Sequence, residues 1–248
     1  MTLQRRGKHS QEEIFTSYTW WDKSCVLNRI TAERCDYIVS CINRVFGQEA
    51  LTQQEILEVG CGGGLICVEL ARRGAMVVGI DPAQGALEAA RKQTQQSKLG
   101  HIAYYEQGYA ESLPYADGSF SVIVCLDVLE HVRDVQTTIK EITRVLAPGG
   151  IFIFDTINRT LLARIVLIWF GERFFHHQGL VPGLHDYHAF IKPHELQTVL
   201  TTHDLQVREL TGFMPRLVKG RLTLGPGWFK GVSYVGYATK GRQVTATT

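Results

Sequence analysis

The chain has 248 residues, 45% hydrophobic and 20% charged, which suits one filled core and excludes a disordered polymer. A formal charge of +2 excludes a dedicated nucleic-acid binder, whose phosphate contacts need a concentrated basic face. No run reaches the roughly 18–20 apolar residues that cross a bilayer.

The opening MTLQRRGKHSQEEIF is basic but has no apolar stretch behind it, so no secretory signal is expected, while a short organellar presequence stays open. Residues 1–50 read as a helical flap: EEIFTSYTWW and ERCDYIVSCINRVF carry apolar side chains at helical spacing. The 6 cysteines, Cys25, Cys35, Cys41, Cys61, Cys67 and Cys125, form no C-x-x-C pair. Free thiols in a reducing compartment are the expectation.

From residue 51 the period changes. EILEVG, AMVVGID, IAYYEQG, SVIVCLD and GIFIFDT are short, nearly continuous apolar runs, separated by helical stretches such as AQGALEAARKQTQQSK and HVRDVQTTIKEITRVL. Strand alternating with helix implies a parallel sheet covered on both faces. Residues 51–156 form this core, and 157–195 break the alternation as an insertion. Residues 196–248 complete the sheet with LQVRELTGF and VSYVGYAT. The whole reads as one α/β domain with a seven-stranded, mostly parallel, Rossmann-like sheet.

The stretch ILEVGCGGG puts a glycine turn between the first strand and a helix, where backbone can approach a ligand closely. Leu65 occupies the third glycine position of a dinucleotide fingerprint, and the G-K-[ST] of a P-loop is absent. Gly60, Gly62 and Gly64 instead fit G-x-G-x-G. Asp81 ends the next strand, placed to accept hydrogen bonds from ribose hydroxyls, and Glu58 adds an acid at the same edge.

At the mouth of the fourth strand, LDVLEHV holds Asp127, Glu130 and His131 at i, i+3 and i+4. A helix or tight turn starting at Asp127 would set them on one side, as an open site for Mg²⁺, Mn²⁺ or Zn²⁺. The other reading is metal-free, with Glu130 capping and His131 as general base.

The ordered set E-V-G-C-G-G-G, G-I-D and GYAESLPYADGSF resembles the S-adenosylmethionine-dependent class I methyltransferases. That resemblance implies S-adenosylmethionine as cofactor. It also implies an adenine contact in the third stretch, where Tyr109 replaces the usual Asp and leaves the contact to Ala110 or Glu111. TWWD, LNRITAERCDYI, LDVLEHV, INR, GLHDYHAFIKPHEL and LTLGPGW are more particular, and in this order they resemble the ubiquinone-biosynthesis O-methyltransferase family. The resemblance implies methyl transfer to a hydroxyl of a polyprenylated dihydroxyphenyl ring. It implies cofactor contacts at Arg34, Gly60, Asp81 and Leu126, and divalent-metal ligands at Asp127, Glu130 and His131, with Glu more usual than Asp at the first. It also points to His185 and Asp186 as substrate-pocket residues. Trp20 and Trp21, an aromatic pair at a helix end, read either as pocket walls or as core.

RTLLARIVLIWFGERFFHHQ is apolar on most sides, with Arg159, Arg164 and Arg173 along it. It reads either as a helix at a membrane interface, arginines at the headgroups, or as a helix covering the active site and buried in protein or in a dimer contact. His176, His177, His185, His188 and His194 lack a zinc-binding spacing. The expectation is a peripherally membrane-associated, cytoplasmic or organellar enzyme with contacts to quinone-biosynthesis proteins. A non-catalytic scaffold that binds cofactor and lipid, and a methyltransferase for another small phenol or lipid ring, remain the alternatives.

Overall fold

The computed structural model describes residues 11–16, 18–174, 181–218 and 221–241. The readings of the first ten residues and of His176 and His177 lie outside these. Two helices precede the sheet, α1 (Gln11–Thr16) and α2 (Val26–Phe46). On α2, Cys35, Ile38, Cys41 and Ile42 recur at helical spacing and are buried in the core with Ile56, Val77 and Val124.

The alternating pattern then folds as β1 (Glu55–Val59), α3 (Leu65–Arg72), β2 (Met76–Asp81), α4 (Gln84–Gln96), β3 (Ala103–Gln107), β4 (Phe120–Cys125), α5 (Val135–Val145) and β5 (Leu146–Ile157). Neighbouring strands of this half are parallel. Ile56 packs into one hydrophobic cluster and Leu57 and Val59 into another, so β1 is covered on both faces. That double burial explains its unbroken apolar sequence.

An insertion follows: α6 (Leu161–Ala163), a π-helical stretch Arg164–Gly171 and α7 (Glu172–Phe174), consecutive along the chain. After it come α8 (Pro193–Thr202), β6 (Leu205–Val218), β7 (Arg221–Gly227) and β8 (Ser233–Lys240). Pro193 starts α8, where its missing N–H has no partner to lose. Among the described residues no helix is long and apolar enough to cross a membrane.

The sheet runs β3-β2-β1-β4-β5-β8-β6-β7. It has 8 strands where seven were expected. The extra one is β7, whose RLTLGPG reads locally as loop because of its glycines and proline. β6 continues beyond its pairing with β8, and β7 pairs antiparallel with that extension, Gly212 opposite Gly227. Pro226 is tolerated there because β7 lies at the sheet edge. Strand order reverses between β1 and β4, so their carboxyl ends open a crevice, the usual ligand site of such sheets.

Candidate active site

The glycine loop leaves β1 at that crevice. Gly60 and Cys61 donate their backbone N–H groups to the Ile80 carbonyl at 2.8 and 3.1 Å, tying the loop to the end of β2. Gly60, Gly62 and Gly64 have φ of 73°, 49° and 76°, a region that strains any other residue. A Cβ on Gly60 would lie 2.2 Å from Val128, and one on Gly62 would lie 2.3 Å from the Trp20 ring. Asp81 receives the Gly62 N–H and the Ala83 N–H, each at 2.8 Å, so its carboxylate is fixed at the rim of the turn. Burial pushes Asp81 upward against the pull of these two donors. Glu58, inside β1, accepts the Cys67 thiol at 2.7 Å, and burial pushes it to about 8.

The N-terminal flap covers this loop. Trp20 lies against Gly62 and Gly63, with Phe15 stacked 5.7 Å and Tyr18 tilted 4.6 Å from its ring. Trp21 anchors the same crossing by donating Nε1 to the Gly63 carbonyl at 2.9 Å.

Beneath the flap is a cavity of about 550 Å³. Glu58, Gly60, Asp81, Ala110, Glu111 and Leu126 line it, and so do Trp20, Arg34, Asp127, His131 and His185. Glu111 is held by the Arg133 N–H at 2.8 Å. Apolar walls come from Ile157, Leu167, Leu184, Phe213 and Val232. Gly62, Gly64, Trp21, Glu130 and Asp186 are not among the lining residues; Gly62 is covered by the Trp20 ring. Gly64 shapes the start of α3, Trp21 works through its hydrogen bond, and Asp186 accepts the His188 N–H at 3.0 Å.

LDVLEHV forms a tight turn, with the Val128 carbonyl accepting from His131 at 2.7 Å and Val132 at 3.2 Å. Asp127 sits at φ 54°, in the left-handed region and outside the helical turn that starts at Val128. Its carboxylate meets Arg34 through two hydrogen bonds, 2.5 and 2.9 Å, and its N–H donates to Asp155 at 2.6 Å. Arg34 reaches Asp155 as well, at 3.1 Å. Burial opposes the Arg34 charge, and the two carboxylates outweigh it. Glu130 instead accepts the Thr156 hydroxyl at 2.7 Å, with its other oxygen buried and without a hydrogen-bond partner. The His131 ring packs on Phe15 at 5.8 Å and His185 at 5.6 Å. Burial, then the His185 charge, lower His131 to about 4.

The expectation that the three side chains share one side is therefore corrected. Asp127 pairs with Arg34, Glu130 with Thr156, and His131 packs on Phe15 and His185, and among the described residues no group of three His, Cys, Asp or Glu is disposed to hold a metal ion. With both Asp127 oxygens on Arg34, this arrangement does not fit a three-ligand cation site.

Comparison with known proteins agrees with this architecture. Residues 57–154 match a methyltransferase domain family. A ubiquinone biosynthesis O-methyltransferase of Rickettsia felis is 37% identical over 202 residues, 80% of each chain. Its namesake from Alkalilimnicola ehrlichii is 35% identical over 214 residues, 84% of this chain and 83% of that one. The chain belongs to the ubiquinone-biosynthesis O-methyltransferase family. Solved structures share the fold at lower identity. A methyltransferase of Thermotoga maritima, described as a possible histamine N-methyltransferase, superposes at TM-score 0.62 with 20% identity, covering 92% of this chain and 99% of that one. The magnesium protoporphyrin IX methyltransferase of Synechocystis, with bound S-adenosylhomocysteine, gives 0.60 at 16% identity and 93% coverage of both.

Within this family setting, Arg34 borders the cavity as expected but already faces two carboxylates. Two residues that spacing did not single out complete the picture. Asp155, at the carboxyl end of β5, fixes both Asp127 and Arg34; an acid closing a buried strand was the available signal. Glu172, the one acid of the apolar insertion, is buried and accepts the His185 N–H and the Gly183 N–H at 3.0 and 2.5 Å. Burial opposes the Glu172 charge, and the His185 and Gly183 donors outweigh it, holding the carboxyl below its usual range. No local pattern marked it.

Proposed function

We propose that the chain transfers the methyl group of S-adenosylmethionine to a phenolic hydroxyl of a polyprenylated dihydroxyphenyl precursor of a quinone. The observation that carries this reading is the single cavity that joins the glycine loop and Asp81 to two imidazoles and an apolar wall. The cradle fits the cofactor: a glycine turn without room for side chains, and a fixed carboxylate suited to ribose hydroxyls. Gly60 would admit the cofactor, Asp81, fixed by the Gly62 N–H, would hold its ribose, and Ala110 and Glu111 would border its adenine. When bound, it supplies an activated methyl group. The chain then has to align the acceptor oxygen, exclude water and receive a proton. Trp20 and the flap exclude water, and Ile157, Leu167, Phe213 and Val232 present apolar surface to a ring and the start of its tail.

The tail also gives meaning to the insertion. Leu167 faces the cavity, while Leu161, Ile165, Trp169 and Phe170 of the same segment are exposed, Trp169 at 67%. Its only acid, Glu172, is buried, so the outer charges are arginines. Apolar area fringed by cations suits an anionic lipid surface, and peripheral membrane association from the cytoplasmic side, or inside an organelle, follows as part of the proposal. Contacts with other quinone-biosynthesis proteins rest on the family relationship alone.

A divalent metal at Asp127, Glu130 and His131 has the sequence spacing and the uncommitted Glu130 oxygen in its favour; Arg34 on both Asp127 oxygens weighs against it. The test is methyl transfer to a soluble dihydroxybenzene, first in chelator and then with Mg²⁺, Mn²⁺ or Zn²⁺ restored. The expected result is turnover that persists in chelator. Activity lost in chelator and regained with metal would mean that Arg34 gives up Asp127. Cofactor binding without any S-adenosylhomocysteine formed would favour the scaffold reading.

A further inference from the structure

We infer that His185 is the catalytic base of this methyl transfer and that Glu172, from the apolar insertion, is its positioning residue. The inference rests on the O-methyltransferase reading above. His185 lines the cavity, and its Nδ1 is 3.0 Å from Glu172 Oε1. The same oxygen accepts the His185 backbone N–H at 3.0 Å, and Oε2 accepts the Gly183 N–H at 2.5 Å. The side chains of His185 and Glu172 are only 10% and 6% exposed.

A buried carboxylate that accepts from Nδ1 fixes the tautomer: Nδ1 carries the hydrogen and Nε2 is left as the ring's acceptor. The ring is also held in place, edge-on to Phe190 at 6.2 Å and against His131 at 5.6 Å. A carboxylate orienting an imidazole at a cavity wall is the arrangement general-base chemistry requires. His131, which the sequence points to first, becomes the wall on which His185 packs.

The step balances simply. The phenol O–H proton passes to His185 Nε2, and the oxygen's electron pair forms the new O–C bond to the methyl carbon. The S–C bond breaks, its electrons stay on sulfur, and the imidazolium beside Glu172 later returns its proton to solvent.

Catechol O-methylation by the full chain, with S-adenosylhomocysteine affinity measured in parallel by calorimetry, tests this. His185→Ala is expected to lower kcat by about 10²-fold or more, with the KM for S-adenosylmethionine and the S-adenosylhomocysteine affinity within about threefold of wild type. Added imidazole should restore part of the lost rate. Glu172→Gln should lower kcat by about tenfold with the same unchanged cofactor affinity, and Glu172→Asp should recover part of it. A His185→Ala protein within about twofold of wild-type kcat would overturn the assignment. So would loss of cofactor binding together with activity and no imidazole rescue, which indicates a structural role. No turnover by the wild-type protein would remove the underlying reading instead, so the two failures are distinguishable.

Discussion

Gly62 shows how little freedom the cofactor turn has. Its φ of 49° and the Trp20 ring 2.3 Å from a hypothetical Cβ mean that a methyl group both strains the backbone and pushes the flap away. Gly62→Ala is expected to weaken S-adenosylhomocysteine binding at least about tenfold, or about 1.4 kcal/mol, in calorimetry; unchanged affinity would mean the flap gives way freely. Glu58 makes a different prediction. Its carboxyl, buried against Cys67, titrates at about 8 rather than 4.5. In that window the folded protein holds a proton that the unfolded chain has released, so stability falls as pH rises from about 4.5 to 8 and is level above. Glu58→Gln removes the titration. Its melting temperature relative to wild type, compared at about pH 5 and about pH 8 without cofactor, should shift in the variant's favour at the higher pH. Both positions were legible from spacing, since G-x-G-x-G and an acid inside the first strand are local patterns. Asp127 was legible as chemistry but not as geometry, because nothing in LDVLEHV reveals a left-handed residue or an arginine 93 positions away.

The insertion is where local pattern and environment disagree most. Its π-helical turns leave Ile165, Trp169 and Phe170 exposed, and Glu172, at the start of α7 directly after them, is buried. Beside its start, the Asn158 amide donates to the Lys230 carbonyl at 2.7 Å and the Thr160 hydroxyl to the Gly231 carbonyl at 2.5 Å. These bonds fix the loop after β7 against the insertion, and Trp228 on that loop is 83% exposed. On the proposed membrane reading, the exposed Trp169 and Trp228 would both meet lipid, a broader contact than either alone. Trp169→Ser and Trp228→Ser should each reduce sedimentation with anionic vesicles, and the double variant more, while cofactor affinity is unchanged. Equal sedimentation of wild type and double variant would remove this surface from the account. The apolar run itself was evident in the sequence, but an amphipathic reading at period 3.6 could not place Glu172 inside, because the widened helix changes which side chains share a face.

For the molecule as a whole, a bound cofactor would add contacts across parts that line one cavity: the flap, the carboxyl ends of β1, β2 and β4, and the turn after β4. Anything that binds only the folded state stabilises it by mass action, about 2.7 kcal/mol at a hundredfold excess over Kd. For a chain of this size that raises Tm by roughly 5–10 °C. Saturating S-adenosylhomocysteine should produce such a shift in calorimetry, and Asp81→Ala should abolish most of it. The sequence by itself determined the alternation of strand and helix, the cofactor turn, the family and the apolar insertion. Each of these is written in short windows, where period, glycine spacing and burial on two faces leave a local trace. Only the tertiary structure decided that β7 joins the sheet, that Arg34 and Asp155 take possession of Asp127, and that Glu172 orients His185. Arg34 and Asp127 stand 93 positions apart, and even the nearer pairings, β7 with β6 and Glu172 with His185, rest on burial and hydrogen bonding that exist only once the layers have packed.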